Sequence, residues 1–425
     1  MKVTDVERIT VNVPYTPRQQ IITRQSVYNW TILELCKVTT DTGHIGWGET
    51  VIHYTYGRVS DESVSRVIGR SPGDLMNEDG LGAGLQMALF DVVGKILEVP
   101  AHKLLGTKVR DWTPISWWCS HSSAANWAAE AEEAYEKGYT NLKNKPRPWE
   151  DIVAQVEAIC KAVPPHFHLD LDPNGSWENA GNAIPIIKKL EAYDNVAIFE
   201  TPIPQSDILG NRQIRRAIDR PVAMHFGSPP FATCVREEVC DGFVIGGGAS
   251  TVRHQGECAA GAEMPFWLQI VGNGLTTTWD AHLGAVLTHA RWPTISCINM
   301  YSHHLLTEPV QVINGHQRVP DGPGLGVEVD EEAVERFRVP QEVLDEHAAR
   351  GELFIHPQPR LINATIYPDK TCINSNSQSA PGTYDEGVHT KIIDDDGSEE
   401  WNELFERVQR EGQVVSRVEG RSWLW

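Results

Sequence analysis

Paired cysteines are missing from this chain: eight cysteines occur in 425 residues, at positions 36, 119, 160, 234, 240, 258, 297 and 372, and none form a Cys-x-x-Cys pair. That scatter argues against a zinc ribbon or a disulfide framework and predicts reduced, mostly buried thiols. Positive charge is also scarce. Lys and Arg total 37 against 57 Asp and Glu, a net charge of −20, and no basic tract offsets it, so a nucleic-acid partner is not expected. No stretch reaches the length of a membrane span, and the opening Met-Lys-Val-Thr-Asp-Val-Glu-Arg lacks the apolar core of a signal peptide. The expectation is a soluble cytoplasmic protein with no membrane contact. No Gly-x-Gly-x-x-Gly joins a first strand to its helix, which excludes a Rossmann reading.

What is present is a regular alternation. From Pro114 to Met300, strand-like runs (114–119, 140–145, 166–172, 196–200, 221–225, 242–245, 265–270 and 294–300) recur roughly every 20 to 30 residues with helical patterns between them, the mark of repeated βα units closing a parallel barrel. Helices are expected over 124–137, ending at Gly138, over 149–163, ending at a Pro-Pro pair, and over 276–291, ending before Pro293. Ahead of the barrel, strand candidates at 2–13 and 31–39, a turn at Asp41-Thr42-Gly43 and a helix over 81–98 suggest an α+β cap. After Pro320-Asp321-Gly322-Pro323-Gly324-Leu325-Gly326 come helical patterns at 331–338, 341–350 and 399–409, and a polar, irregular stretch from Asn374 to Gly387.

A parallel barrel binds its ligand at the carboxyl ends of its strands. Three strands end on potential metal ligands there: Asp172 in Leu169-Asp170-Leu171-Asp172-Pro173-Asn174, Glu200 in Phe199-Glu200-Thr201-Pro202, and His225 in Val222-Ala223-Met224-His225. Two carboxylates suit Mg²⁺, whereas an imidazole favours Mn²⁺, Fe²⁺ or Zn²⁺. Lys143 and Lys145 are two apart on a strand, so both point to one face, the barrel interior near the mouth. A lysine desolvated beside a divalent cation can serve as a general base. A metal on Asp172 and Glu200 could bind a substrate carboxylate and stabilise the enediolate left when the α-proton is removed. Asn174 and Gln269 at strand ends, with Arg24, Tyr28, His53 and Tyr54 in the polar loops 17–28 and 53–56, are the candidate substrate contacts.

These residues resemble the mandelate racemase and muconate lactonizing branch of the enolase superfamily over residues 30 to 335. The resemblance is carried by Gly46-Trp47-Gly48-Glu49, the helix from Met87 to Lys95 with Pro100 and Leu104-Leu105-Gly106, the Lys143-Asn144-Lys145 pair, Asp172-Pro173-Asn174, Phe199-Glu200, Gly247-Gly248 and Pro320 to Gly326. It implies a modified TIM barrel, (β/α)₇β, under an α+β capping domain built from both chain ends: a cap over 1–112, a barrel over 113–320, and a segment 321–425 completing the cap with an extension. It also implies a homo-oligomer and Mg²⁺-assisted removal of a proton α to a carboxylate, by Lys145, with Lys143 next to it supporting the metal or the substrate carboxylate.

Two departures stand out. His225 takes the place of the usual third acidic ligand, and the sixth and seventh strand ends offer Gly246-Gly247-Gly248 and Gln269 where the family places a Lys base or an Asp and His. The opposite-face base is missing, which favours a one-base reaction. A lyase, an acid-sugar dehydratase, is therefore expected; the alternatives are an isomerase of the same superfamily (racemase, epimerase or cycloisomerase) and a diverged, non-catalytic carboxylate-binding barrel. Blander readings stand beside these: Asp172 and Glu200 as strand-end charges, Lys145 as a static ion-pair partner, His225 as a ligand, an acid or base, or a hydrogen-bonding group. Trp117 and Trp118 read as packing residues, His121, His303 and His304 as possible mouth residues, and His166 and His168 as core or barrel-bottom residues.

Overall fold

The computed structural model describes residues 1–54, 57–375 and 384–417. Strands β1 (Val3–Asn12), β2 (Ile32–Thr40) and β3 (Ile45–Val51) pair antiparallel in that order. The helix Ala83–Ile96 lies flat on β3, and the glycines of the Gly-Trp-Gly-Glu run explain how: a Cβ on Gly46 would sit 2.2 Å from the Ala88 carbonyl oxygen, and one on Gly48 1.9 Å from that of Gly84. Asp91 on this helix accepts from the backbone N of Trp47 at 2.8 Å and of Leu325 at 2.7 Å, so the segment after the barrel returns to the N-terminal layer.

After β4 (Trp112–Pro114), strands β5 (Trp117–Cys119), β6 (Asn141–Asn144), β7 (His168–Leu171), β8 (Val196–Glu200), β9 (Val222–His225), β10 (Gly242–Ile245) and β11 (Phe266–Leu268) form one curled parallel sheet in chain order. Thr294 bridges to Ile115 and Ile295 to Gln269, so a short segment joins the two edges of that sheet. Most intervening helices are capped by their own first residue: Ser123, Asp151, Asn179 and Asp207 each accept from a first-turn N–H, a contribution of about 1 kcal/mol apiece.

Several expectations need correction. The strand expected over 114–119 is shorter: only β5 joins the barrel sheet, while Pro114 ends β4, which turns away to pair with β13 (His316–Arg318), itself paired with β12 (Val312–Ile313). The eighth strand is not a strand over 294–300; Cys297 adopts a left-handed conformation with φ 65° and a 3₁₀ turn, Ile298–Met300, follows. The helix expected over 276–291 is Gly274–Val286. Arg110 stops it by binding the carbonyls of Gly284 at 3.1 Å, Thr288 at 2.8 Å and Ala290 at 2.5 Å. The tail also holds a sheet that sequence reasoning missed, in the antiparallel order β16–β14–β15–β17, where β14 is Ile362–Ile366, β15 Lys370–Asn374, β16 His389–Ile393 and β17 Val414–Arg417. Residues 376–383 of the stretch expected to be irregular, and 55–56 of the loop 53–56, lie outside the described residues.

All eight cysteines are free, and six are buried. No helix among the described residues is long and apolar enough to cross a membrane.

The seam between the N-terminal layer and the barrel carries two ionisable ties. Asp79 accepts from Ser250 N at 3.0 Å and from Thr251 N at 2.8 Å, capping the helix Ala249–Gly261 from a distant part of the chain. Burial works against its charge, but the bonds from Thr251, Gln86 and Ser250 outweigh it and hold the carboxyl below its usual value. Glu49 is the opposite case: burial raises it to about 7, against the N–H of Asn273 and the Thr276 hydroxyl. Between the ordinary glutamate value of 4.5 and about 7, the folded state keeps a proton that the unfolded chain has released. Stability therefore falls as pH rises through that window, by an amount on the order of 3 kcal/mol. Glu49→Gln is expected to flatten the fall, as read by urea unfolding between pH 5 and about 8.

Candidate active site

Strands β6 to β9 end side by side, so their last inward residues meet at one mouth. Lys143 pairs in register with Asp170 across β6 and β7, and the two-residue period carries Lys145 and Asp172 to the same interior face one layer higher. The side chains of Lys143, Asp172 and Glu200 are 0% exposed, while Lys145 keeps 15%. Lys143 Nζ contacts Glu200 Oε2, lies 3.6 Å from Asp172 Oδ2, and donates to Gln269 Oε1 at 2.8 Å. Lys145 Nζ contacts Asp172 Oδ2. His225 Nε2 lies 3.1 Å from Glu200 Oε1.

The two lysines are driven in opposite directions. Burial pulls Lys143 down, but the charges of Glu200 and Asp172 outweigh it and the ammonium is favoured. At Lys145 burial prevails over the Asp172 charge, with Lys143 repelling a second positive charge, and the amine lies below its usual value. Glu200 has the matching profile: its burial is overcome by Lys143, His225 and Lys145, and its carboxyl is strongly depressed.

Asn174, with φ 51°, bends the chain so that its own N–H reaches Asp172 Oδ1 at 2.9 Å. Arg147 holds Asn174 Oδ1 at 2.7 Å and the Asp172 carbonyl at 3.2 Å. Sequence reasoning missed Arg147, and it missed Asp170, buried one layer below the site with a carboxyl raised by burial to about 7 against the pull of Asn141 and Lys143. The signal for Asp170 was the alternation Leu169-Asp170-Leu171-Asp172 itself; for Arg147 there was none.

A cavity of about 210 Å³ opens beside these groups, lined by Tyr54, His225, Phe226, Gly246, Gln255 and Gln269 among others. The structure brings Tyr54 and Gln269 to this cavity and leaves the other cap residues elsewhere. Arg24 pairs with Asp394 at 2.7 Å and shares a separate cavity of about 300 Å³ with Tyr28, His356 and Pro357. His53 Nε2 is 2.8 Å from the Phe354 carbonyl. Both residues are engaged by the C-terminal extension.

The remaining residues weighed from sequence also have places. Trp117 Nε1 donates to Glu130 at 2.7 Å and Trp118 stacks on Trp30. His121 is buried and pushed down to about 3 by burial and by Arg147. His303 lies 3.5 Å from Asp330, burial lowers His304 to about 4, and His166 and His168 are exposed, so neither of the last two is in the core. The helix N-terminus after Gly248 is filled by the Asp79 carboxylate.

Among the described residues, no three His, Cys, Asp or Glu side chains are gathered closely enough to ligate one ion. The donor chemistry nevertheless fits a divalent cation: one ammonium, Lys143, bridges two sealed carboxylates from adjacent strands, and an imidazole nitrogen stands beside the second.

Residues 126–333 match the family model described as enolase C-terminal domain-like. The N-succinyl-L-Arg/Lys racemase of Bacillus cereus is 25% identical over 380 residues, 81% of this chain and 100% of that protein. Its crystal structure superposes with a TM-score of 0.67 at 21% identity, covering 80% of this chain and 99% of that one. Muconate cycloisomerase 1-1 of Acinetobacter lwoffii is 28% identical over 78% of this chain and 95% of its own length, and the D-xylonate dehydratase of Haloferax volcanii 26% over 75% and 87%.

Proposed function

We propose that this chain, which belongs to the mandelate racemase and muconate lactonizing branch of the enolase superfamily, is a metal-dependent acid-sugar dehydratase. One geometric observation carries the reading. Of two lysines at the end of β6, Lys143 is sealed against Glu200 while Lys145, just past the strand, reaches the mouth beside Asp172.

In this reading the Lys145 amine takes the proton α to the substrate carboxylate, and the electron pair of that C–H bond moves toward the carboxylate. Lys143 remains an ammonium and adds fixed positive charge where negative charge develops. Asp172, Glu200 and His225 would hold the cation, Mg²⁺ or an ion such as Mn²⁺, Fe²⁺ or Zn²⁺ that tolerates imidazole. When bound, the ion supplies Lewis-acid stabilisation of the substrate carboxylate. Gln269 and Tyr54 line the cavity where substrate hydroxyls would lie, and Asn174 holds the Asp172 carboxylate. Gln269 at the seventh strand end is an amide and not a base, so the strand end itself does not supply the second base of a two-base racemisation.

The test is a panel of aldonic and aldaric acids in deuterated water with Mg²⁺, Mn²⁺ or Zn²⁺. One member is expected to exchange its α-proton and give a 2-keto-3-deoxy acid, and chelation with EDTA to abolish both. Exchange with inversion and no loss of water would replace dehydration by racemisation. Exchange undiminished in EDTA would remove the metal.

A further inference from the structure

An elimination needs an acid as well as a base, because hydroxide is a poor leaving group at neutral pH. We infer that the Tyr54 hydroxyl is that acid, acting from the side of the site opposite Lys145. The assignment rests on the dehydratase reading and extends it.

The argument begins with position. Gln269 follows β11 and Lys145 follows β6, and the ring runs from β6 through β5 and the 294–295 segment to β11, so the two side chains enter from well-separated parts of the mouth. Tyr54 comes down from the N-terminal layer onto the Gln269 side. Its oxygen accepts a long hydrogen bond from Gln269 Nε2 at 3.4 Å, and Gln269 Oε1 in turn accepts from Lys143 Nζ at 2.8 Å. An edge contact with Trp30, 4.4 Å between ring centres, fixes the ring, and Trp30 stacks on Trp118 of β5 at 6.0 Å.

Chemistry then narrows the choice. Of the polar side chains lining the cavity (Tyr54, His225, Gln255 and Gln269), the two amides do not release protons. His225 has its Nε2 directed at Glu200 Oε1, 3.1 Å away. That leaves the phenol. In its bond with Gln269 the phenol oxygen is the acceptor, so that bond does not engage its proton. The same arrangement favours the phenolate after transfer, since the amide N–H already points at the oxygen and the Lys143 charge lies one hydrogen bond behind it.

The step balances. Lys145 takes the α-proton; the electron pair left on the α-carbon forms the C2–C3 double bond as the C3–O bond breaks; the Tyr54 O–H gives its proton to the departing oxygen, which leaves as water. The enol so formed becomes the 2-keto-3-deoxy acid by moving its hydroxyl proton to C3 through solvent. The Lys145 ammonium and the Tyr54 phenolate are then reset by proton exchange with water.

Tyr54→Phe keeps the ring and its contact with Trp30 and removes only the proton. With the aldonic or aldaric acid that the wild type dehydrates, water loss is expected to fall about 10²-fold or more, while α-proton exchange in deuterated water stays within about threefold of wild type. The 3-deoxy-3-fluoro analogue of the same acid, whose fluoride leaves without protonation, is expected to be eliminated by Tyr54→Phe at close to the wild-type rate. Normal dehydration by Tyr54→Phe would overturn the assignment. So would equal loss of exchange and elimination with no rescue by the fluoro analogue, which is the mark of a binding or packing role. If Lys145→Ala retains exchange, or the wild type dehydrates no member of the panel, the dehydratase reading itself falls, a result distinct from either outcome at Tyr54.

Discussion

Replacing Lys145 by Ala is expected to slow α-proton exchange by about 10²- to 10⁴-fold, the usual worth of a positioned general base. Ala alone would not decide between a base and a static partner of Asp172, because it removes both the amine and the ion pair. Lys145→Arg separates them. A guanidinium preserves a positive charge beside Asp172 but does not give up its proton in the working range, so the static reading predicts an active arginine variant and the base reading a dead one. The wild-type rate should rise with pH until the lysine is neutral, and burial, which holds Lys145 below the ordinary lysine value, brings that limb toward the physiological range. In Lys145→Ala the limb should disappear, and a small primary amine in solution should restore part of the rate in proportion to its unprotonated fraction. Deuterium incorporation at the α-carbon, followed by proton NMR across pH, reads all of these. Full exchange in Lys145→Arg would remove the base.

The parts of this site that sequence reasoning found are those written in local pattern. Asp172, Glu200 and His225 each close an apolar run, and Lys143 and Lys145 share a face because strand side chains alternate; nothing beyond the strand period was needed to send them to one mouth. What it missed depends on partners distant in sequence. Asp79 caps the Ala249–Gly261 helix from 171 residues away, Arg110 binds the end of the Gly274–Val286 helix from 174 residues away, and the 114–119 run loses Pro114 to β13 through its pairing with His316. The cap loops show the same limit. Composition marked Arg24, His53 and Tyr54 alike, yet Arg24 and His53 are tied to the C-terminal extension through Asp394 and Phe354, and Tyr54 alone of the three turns to Gln269. That extension contains a sheet whose strands are short and, apart from β14, only partly buried, so its sequence lacks the long apolar runs that announced the barrel.

Removing Glu200 should cost the metal-free protein about 3 to 5 kcal/mol, because it leaves a buried charge without its nearest partner. Lys143 and Glu200 are both 0% exposed. In Glu200→Ala the ammonium would retain Asp172 at 3.6 Å, already in contact with Lys145, and the neutral oxygen of Gln269 at 2.8 Å, which is poor compensation for losing a carboxylate in direct contact. The pH dependence has a definite sign. Glu200 is depressed in the folded state, so its contribution is present above the unfolded glutamate pKa and is lost as pH falls below it; Glu200→Ala should therefore lie furthest from wild type near neutrality and converge with it in acid. The double variant Lys143→Met, Glu200→Leu replaces the pair with apolar volume and should recover much of the loss, since a buried ion pair is costly to break and cheap to replace. Urea unfolding in EDTA measures these differences. The same proteins test the cation. If Glu200 is one of its ligands, adding Mg²⁺ at about 100 times its dissociation constant should raise wild-type stability by about 2.7 kcal/mol, and neither variant should respond. A wild-type response that survives in Glu200→Ala would place the ion away from this carboxylate, and with it the electrophilic side of the proposed chemistry.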